Sequence, residues 1–365
     1  MAMSQELQQT FADADAAWEA STTGHLTIDL SAIAANWASL AARTAAECGA
    51  VVKANAYGCG LEPVCRALAR AGCRSFFVAT AREGHALRTA LPDVTIYVLN
   101  GVFEDVARAR EARLIPFLSS QEALSEWPLD APFALHVDTG FNRLGVTPDE
   151  AKALSVPPAL LASHFACADT PDHPLNAIQE ETFAHVRSAW GDVRASFANS
   201  AALISRPSSH HELVRPGIAL YGGASVEGAP PLRATVRLEA RVIQVRTAKA
   251  GQTVGYGAAE TLTRDSRVAI LAFGYADGYL RAGGGQDGAR GAPAYVGGTK
   301  TRLLGRVSMD LIAVDVTDAP CRRGDWVELF GNHVPLDDVA AHAGTIGYEL
   351  LTGLSRRADR RYASL

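Results

Sequence analysis

The chain has 365 residues, of which 48% are hydrophobic and 20% are charged. These values are typical of a folded globular protein and exclude a disordered or fibrous one, and the length favours two domains or one large barrel with an appendage. The formal net charge of −5, without a long block of Lys and Arg, argues against nucleic acid as a partner.

The N-terminal sequence and the cysteines favour a cytoplasmic protein. Residues 1–24 have neither a basic start nor an apolar core, so they are unlike a secretory signal or a transit peptide, and we expect them to form a separate arm. No apolar run reaches the roughly 18 residues that a membrane span needs. The six cysteines are scattered and form no CxxC pair, so we expect no disulfide framework and no metal site.

Residues 25–232 carry a pattern of alternating strands and helices. From residue 50 onward, short β-branched or aromatic runs recur about every 20 to 27 residues, separated by stretches with helical spacing. The runs are AVVKA, SFFVAT, TIYVLN, RLIPFL, FALHVD, LLASHF, RASFAN and RPGIALYG. These βα units predict an α/β fold with an N-terminal (β/α)8, TIM-like barrel, and an open doubly wound sheet is the alternative.

Residues 233–365 have a different pattern. The segment TVRLEARVIQV alternates with period two, and further short strands follow between Gly-rich turns. We therefore expect a mostly-β C-terminal domain, with the boundary near residue 232 in the turn-forming segment GAPPLRA. The run HLTIDL, residues 25–30, is also strand-like and either enters the barrel or pairs with the C-terminal domain.

Polar side chains follow the predicted barrel strands at the ends where such barrels carry their functional residues. They are Lys53, His136, Asp138, His164, Ser200 and Arg215. Lys53 has two interpretations: a strand-end lysine whose stem covers apolar surface, or a partly desolvated amine that forms a Schiff base. His210 and His211 lie in a polar stretch instead, and we expect both to face solvent.

The turn NAYGCG after Lys53 offers a tyrosine hydroxyl and small residues that suit a phosphate group. Ser200 follows the seventh strand, and the backbone N–H groups of Gly217 and Ile218 lie at the eighth, where barrels commonly bind phosphate. A phosphorylated cofactor anchored there, with a lysine across the barrel mouth, describes pyridoxal phosphate.

Nine segments resemble, in order across residues 25–365, the signature blocks of the alanine racemase family. They are AVVKANAYGCG, HVDTGFNRLG, SHFACAD, FANSAA, RPGIALYG, VGYG, GYADGY, GRVSMD and TIGYE. The resemblance implies a pyridoxal-phosphate enzyme that interconverts L-alanine and D-alanine and supplies D-alanine for peptidoglycan. It also implies a homodimer whose active sites are shared between subunits.

The resemblance also implies roles for individual residues. Lys53 would bind the cofactor covalently and act as one of two bases, and Tyr256 of the partner subunit would be the other. His164 would contact that tyrosine and Arg215, and the guanidinium would meet the pyridine nitrogen. The ligands of the cofactor phosphate would be Tyr57, Ser200, Gly217, Ile218 and Tyr348. Arg143 and Met309 would bind the substrate carboxylate, and Tyr275 would narrow the entrance.

One position departs from the family. Many members carry there a carbamylated lysine whose charge orients the arginine that matches Arg143, whereas this chain has His136. We consider two hypotheses: a neutral His136 accepts a hydrogen bond from Arg143, or an anion such as chloride lies between a charged His136 and Arg143.

Several other functions are compatible with parts of the sequence. A broad-specificity racemase for serine, lysine or arginine is the main alternative, although such enzymes tend to be secreted. A barrel-type decarboxylase would carry a phosphate-binding glycine triplet after the seventh strand, where this chain has NSAA. A pyridoxal-phosphate homeostasis protein, which is not an enzyme, would lack the β domain. The segment GGGQDG, residues 283–288, matches GxGxxG but follows no barrel strand, which argues against a dinucleotide site.

Overall fold

A computed structural model describes residues 23–103, 105–226, 229 and 231–363. The chain divides into two compact units, one formed by residues 29–235 and the other by residues 236–362 with all but the last residue of the first strand, β1 (Gly24–Asp29). Of the arm expected at residues 1–24, all but the last two residues lie outside the described residues. None of the helices in the described ranges is long and apolar enough to cross a membrane.

The unit of residues 29–235 alternates short strands and helices, as the sequence predicts. Its strands are β2 (Glu47–Cys48), β3 (Ala50–Val51), β4 (Ser75–Val78), β5 (Thr95–Val98), β6 (Leu114–Leu118), β7 (Ala134–His136), β8 (Leu160–Ala162), β9 (Ala195–Ser196) and β10 (Leu213–Val214). Its helices are α1 (Leu30–Ala41), α2 (Lys53–Tyr57), α3 (Leu61–Ala71), α4 (Ala81–Ala90), α5 (Val106–Glu111), α6 (Gln121–Glu126), α7 (Pro148–Ala153), α8 (Pro174–Ser188) and α9 (Ser200–Ser205). Strands β3 to β9 form a seven-stranded parallel sheet in chain order. The predicted α/β fold class is confirmed.

Hydrogen bonds on both sides of β10 close this sheet into a barrel. Strand β10 pairs in parallel with β2, and the Val51 N–H donates to the Pro216 carbonyl at 2.9 Å. On the other side, the Arg215 N–H donates to the Ala198 carbonyl at 2.9 Å. The eighth strand thus precedes the predicted run RPGIALYG, in which Ile218–Tyr221 is a 3-10 helix. The strand ends at this point because Pro216 has no N–H to continue the ladder.

Local sequence signals explain where several barrel helices begin. Thr80 and Glu83 form a reciprocal capping box at the start of α4, and Thr147 and Glu150 do the same for α7. The strands between these helices are almost wholly apolar because both of their faces are covered. The barrel core includes the stacked rings of Phe77 and Tyr97, whose centroids lie 4.7 Å apart.

His210 is buried and His211 is half-buried, although the sequence predicts that both face solvent. Only 8% of His210 is exposed, and its Nε2 lies 3.0 Å from the Leu203 carbonyl oxygen. Nδ1 of His211 lies 2.9 Å from a guanidinium nitrogen of Arg187. The prediction was wrong because the 3-10 helix Pro207–Ser209 turns this polar segment back towards α9, where backbone acceptors are available.

The second unit is mostly β, as predicted. Its strands are β1, β11 (Val236–Ala248), β12 (Thr253–Val254), β13 (Glu260–Thr261), β14 (Ser266–Leu271), β15 (Pro293–Val296), β16 (Thr299–Leu304), β17 (Ile312–Asp315), β18 (Trp326–Phe330) and β19 (Asp359–Ala363), with helices α10 (Leu336–His342) and α11 (Gly347–Gly353). Eight of these strands form one sheet in the order β14-β17-β16-β15-β18-β11-β1-β19, and β11 also pairs with β14. Strand β11 pairs antiparallel with β1, the strand at HLTIDL, and its inward-facing residues alternate with outward-facing ones.

Candidate active site

The ends of the barrel strands bring several predicted site residues to one mouth. Lys53 follows β3, His164 follows β8 and Arg215 follows β10. Because the carboxyl ends of parallel strands meet at one edge of a barrel, these side chains share that mouth. Electrostatic interactions of Arg215 and of Lys53 with His164 are consistent with this placement.

Lys53 begins a turn with an uncommon backbone conformation. Within α2, Ala54, Asn55, Ala56 and Tyr57 have φ values of 52, 56, 53 and 54°, which is the left-handed region. Non-glycine residues rarely adopt it in succession, so the surrounding structure must hold this segment in place. Asn55 contributes, since its side chain accepts a hydrogen bond from the Leu61 N–H at 2.8 Å.

The environment of Lys53 lowers the pKa of its amine. The side chain is accessible at the barrel mouth, but the protein atoms around the amine displace enough water to lower its pKa. Repulsion by Arg143 lowers the pKa of Lys53 further, and Glu83 opposes this effect. A larger fraction of the amine is therefore unprotonated near neutral pH, which is the form that attacks a carbonyl carbon.

Hydrogen-bond donors converge beside Tyr57. Oγ of Ser200 accepts a hydrogen bond from the Gly217 N–H at 2.8 Å and a longer one from the Ala219 N–H at 3.4 Å. A Cβ atom added to Gly217 would lie 2.5 Å from the Tyr57 hydroxyl oxygen, so a larger residue at this position would displace that hydroxyl. Hydroxyl and backbone N–H groups grouped in this way suit a phosphate.

Arg215 is buried, and its charge is held by three acceptors. One terminal nitrogen donates to the Ser196 hydroxyl at 2.5 Å, and the other donates to the Ser163 carbonyl at 2.7 Å. The second nitrogen also lies 3.4 Å from Nδ1 of His164. Burial lowers the pKa of Arg215 to about 10, so the guanidinium is still charged at neutral pH.

His164 is neutral, and its tautomer follows from its contact with Arg215. Burial lowers the pKa of His164 far below its usual value, and the positive charges of Arg215 and Arg143 lower it further. Because Nδ1 faces a guanidinium, which can only donate, the imidazole proton lies on Nε2. His164 can therefore present an N–H group on its other side.

The loop that carries Arg143 is organised by Asp138. One carboxylate oxygen of Asp138 accepts hydrogen bonds from the N–H groups of Gly140, Phe141 and Asn142 at 2.8, 2.9 and 3.1 Å. Asp138 thus caps this turn, and the exposed Arg143 guanidinium lies 4.0 Å above the Phe141 ring.

Within the described residues, His136 makes no hydrogen bond to Arg143, the contact that the first hypothesis describes. Its Nδ1 is buried and has no hydrogen-bond partner among the described residues. Burial, with the nearby charges of Arg215 and Arg143, lowers the pKa of His136 to about 4. The ring is therefore neutral at pH 7, and an anion would have to stabilise a charged His136 through its own binding.

The remaining predicted residues belong to the mostly-β unit. Tyr256 is 72% exposed in a tight turn after Gly255, and Met309 is also exposed. The Tyr275 N–H donates to the Ser308 carbonyl at 3.1 Å, so Tyr275 lies beside the segment of Met309. Tyr348, in α11, is half-exposed.

Two family models match the chain. The one described as the N-terminal domain of alanine racemase matches residues 28–225, and the one described as its C-terminal domain matches residues 235–362. The chain belongs to the alanine racemase family.

Individual members of the family match this chain almost end to end. It is 47% identical to a biosynthetic alanine racemase of Agrobacterium fabrum over 92% of this chain and 93% of that protein. It is 48% identical to an alanine racemase of Methylobacterium nodulans, over 92% and 95% of the two chains.

Solved structures of the family have the same fold. The Bartonella henselae alanine racemase, which contains covalently bound pyridoxal phosphate, matches with a TM-score of 0.86 and 38% identity over 93% of this chain and 99% of its own. The biosynthetic alanine racemase of Pseudomonas aeruginosa matches with a TM-score of 0.87 and 38% identity, over 94% and 100%.

The sequence indicates no role for two aromatic residues near the candidate active site, Tyr221 and Phe141. Tyr221 stacks on Tyr57 with centroids 4.6 Å apart, and its hydroxyl donates to the Val51 carbonyl at 3.2 Å. Phe141 lies under Arg143. Tyr221 stands in the block RPGIALYG, but neither contact is visible in the sequence because each depends on how the chain folds.

Proposed function

We propose that this protein is an alanine racemase that interconverts L-alanine and D-alanine with pyridoxal phosphate as its cofactor. One observation carries the proposal: Lys53, an amine of lowered pKa, shares a barrel mouth with the donors around Ser200, in a chain 47% identical to a biosynthetic alanine racemase. By this proposal, the reaction takes place in the cytoplasm and supplies D-alanine for peptidoglycan.

The donor set at the barrel mouth fits the proposed cofactor. The Tyr57 hydroxyl, the Ser200 hydroxyl and the N–H groups of Gly217 and Ile218 would hold its phosphate, because phosphate oxygens accept and these groups donate. Tyr348 is proposed as a further phosphate ligand, and Lys53 as the covalent attachment. When bound, pyridoxal phosphate withdraws electrons from the substrate α-carbon and stabilises the charge left by proton removal.

Racemisation needs a proton to leave one face of the α-carbon and another to arrive at the opposite face. We propose Lys53 for one face and Tyr256 of the partner subunit for the other. The exposure of Tyr256 in its own unit supports a homodimer in which a second copy supplies this hydroxyl. The domain boundary near residue 232 would then separate a cofactor-binding barrel from the domain that completes the partner's site.

His164 would lower the pKa of Tyr256 of the partner subunit so that this tyrosine can act as a base. A free tyrosine has a pKa of about 10 and is a poor base at neutral pH. The Nε2–H of a neutral His164 would donate to the oxygen of Tyr256 of the partner subunit and stabilise its phenolate, which lowers the tyrosine pKa. The contact between Arg215 and Nδ1 supports this role because it keeps the proton on Nε2.

Arg215 would meet the pyridine nitrogen of the cofactor. A guanidinium with a pKa of about 10 does not readily transfer a proton at pH 7, so the nitrogen would stay unprotonated. Less negative charge would then move into the ring than with a carboxylate partner, and the deprotonated substrate would be short-lived. This favours prompt reprotonation over side reactions.

Three residues are proposed for the substrate itself. Arg143 and the Met309 N–H of the partner subunit would bind its carboxylate, since both are donors that suit an anion. Tyr275 of the partner subunit would narrow the entrance. A narrow entrance favours a small side chain, which supports alanine over lysine or arginine.

A substrate panel tests the proposal. Purified protein is incubated with pyridoxal phosphate and, separately, with L-alanine, L-serine, L-lysine and L-arginine, and the D forms are measured by chiral chromatography. We expect rapid formation of D-alanine and little of the others, and no product from the variant Lys53→Ala. No D-alanine would overturn the proposal, whereas equal rates for all four substrates would favour a broad-specificity racemase.

A further inference from the structure

Phe141 stands at a fixed point of the loop that follows β7. Its N–H is one of three that donate to the Asp138 carboxylate, at 2.9 Å. Its neighbours on either side, Gly140 and Asn142, have φ values of 119 and 56°, in the left-handed region. A short loop with a shared acceptor and two left-handed residues has little freedom, so the direction of the Phe141 side chain is well defined.

The ring of Phe141 is the partner of the Arg143 guanidinium. The guanidinium carbon lies 4.0 Å from the ring centroid, well within the range of a cation–π contact. Within the described residues, this guanidinium has no hydrogen-bond or ion-pair partner. The same ring packs against His164, with centroids 6.0 Å apart, which connects it to the end of the neighbouring strand.

We propose that Phe141 is a positioning residue that holds the Arg143 guanidinium for the substrate carboxylate. The inference rests on the proposed function, in which Arg143 binds that carboxylate. Because the ring face accepts no conventional hydrogen bond, this contact leaves the N–H groups of the guanidinium available for two parallel hydrogen bonds. An acidic partner would orient the arginine by occupying some of those same N–H groups.

Because His136 is neutral, the contact between Phe141 and Arg143 becomes more important. A charged group at that position would interact with Arg143, whose charge already affects the pKa of His136. The lowered pKa of His136 leaves no such charge at pH 7, and its Nδ1 has no hydrogen-bond partner within the described residues. The ring face is then the contact that restrains the guanidinium before substrate arrives.

Two substitutions of Phe141 distinguish a cation–π contact from simple apolar packing. Phe141→Leu keeps an apolar side chain without a π face, and Phe141→Tyr keeps the face. Because an exposed cation–π contact is weak, we expect Phe141→Leu to raise the KM for L-alanine about three- to fivefold, with kcat changed by less than about twofold. Phe141→Tyr should keep both constants within about twofold of the original chain.

Competitive inhibition of L-alanine turnover by propionate gives a measure of carboxylate binding that is separate from KM. Propionate carries the carboxylate without the amino group, so its inhibition constant should rise with Phe141→Leu by the same factor as KM. Equal effects of Phe141→Leu and Phe141→Tyr, or no effect of either, would overturn the inference. The unfolding midpoint of each variant shows whether a loss of stability explains a change.

The variant Arg143→Gln distinguishes failure of the inference from failure of the proposed function. It should raise KM by itself, and adding Phe141→Leu to it should then raise KM less than about twofold, because the cation over the ring is already gone. A fully additive effect would show that Phe141 acts through something other than Arg143. An unchanged KM in Arg143→Gln would overturn the carboxylate-binding role of Arg143, and the inference with it.

Discussion

The guanidinium of Arg215 lies 3.4 Å from Nδ1 of His164 within a buried polar chain. The chain continues to the Ser163 carbonyl at 2.7 Å and to the Ser196 hydroxyl at 2.5 Å. Because Arg215 can only donate, it fixes the proton of His164 on Nε2. The buried Arg215 thus places a positive charge at the barrel mouth. It also determines that His164 donates through Nε2.

Replacing Arg215 by lysine should damage both activity and stability. A lysine cannot donate to Ser196, Ser163 and His164 in the planar geometry of a guanidinium. We expect kcat to fall by at least about tenfold and the free energy of unfolding to fall by about 2 to 3 kcal/mol. Alanine racemisation rates and chemical denaturation at pH 7 measure the two effects.

Arg187→Lys is the matched control for this variant. Arg187 also contacts a histidine, His211, at 2.9 Å, but it is not among the residues proposed for the site. Its replacement should leave kcat within about twofold. If Arg215→Lys behaved like this control, Arg215 would have no role in the reaction.

Ser200 should contribute to cofactor affinity. Its hydroxyl accepts from the Gly217 N–H at 2.8 Å in the structure and is proposed to donate to the phosphate. Loss of one such hydrogen bond costs about 1 to 1.5 kcal/mol, so Ser200→Ala should weaken pyridoxal phosphate binding about five- to tenfold. Equilibrium dialysis of the cofactor measures this directly.

Ser205, at the other end of the same helix, provides the control. Its hydroxyl donates to the Ala201 carbonyl at 2.9 Å, a contact within the helix. Ser205→Ala should leave the dissociation constant of pyridoxal phosphate within about twofold. Equal losses of cofactor affinity in both variants would indicate that the integrity of α9, rather than the Ser200 hydroxyl, determines this affinity.

His136 should make the protein less stable in mild acid. Its pKa in the folded protein is lowered from 6.5 to about 4, so the unfolded chain binds a proton first as the pH falls. The contribution to stability is complete above pH 6.5 and is lost progressively down to about pH 4. Between pH 7 and pH 5 the loss should be about 2 kcal/mol.

Urea denaturation at pH 7 and pH 5 measures this effect. The variant His136→Gln keeps a polar side chain that does not titrate, so its free energy of unfolding should change less between the two pH values than that of the original chain. The difference between the two proteins isolates His136 from the other histidines. An equal change in both would mean that His136 is not held neutral.

The amine of Lys53 should titrate below its usual range in the cofactor-free protein. Surrounding protein atoms lower its pKa from 10.5, and the positive charge of Arg143 lowers it further. Arg143→Ala should therefore raise the pKa of Lys53. The pH dependence of reductive methylation at Lys53, followed by mass spectrometry, measures both values. A lower pKa in Arg143→Ala would contradict this electrostatic picture.

The regular parts of the barrel could be predicted because its strands bury both faces. Runs such as SFFVAT and TIYVLN correspond to β4 and β5, and turn-forming residues separate them from the helices. The sequence predicts the eighth strand a few residues too far along the chain. Its apolar run continues past Pro216, whereas β10 ends before that residue. His210 was assigned to the surface because its acceptor, the Leu203 carbonyl, becomes available only after folding.

The candidate site was less predictable than the fold. The strand-end rule and the family motifs identified Lys53, Ser200 and Arg215, but they gave no information about the φ values of α2 or the tautomer of His164. The contact between Phe141 and Arg143 also escaped prediction. Two residues in one loop come into contact in this way only when the backbone takes a particular turn, which a pattern of residue types does not specify.

We propose above all that Lys53 of one subunit and Tyr256 of the partner subunit act on the same substrate. Co-expression of Lys53→Ala and Tyr256→Phe chains with different tags allows purification of the mixed dimer. One of its two sites would combine an intact Lys53 with an intact Tyr256, so it should show about half of the alanine racemase activity of the original dimer, while each single-variant dimer is nearly inactive. A mixed dimer as inactive as its parents would contradict the claim.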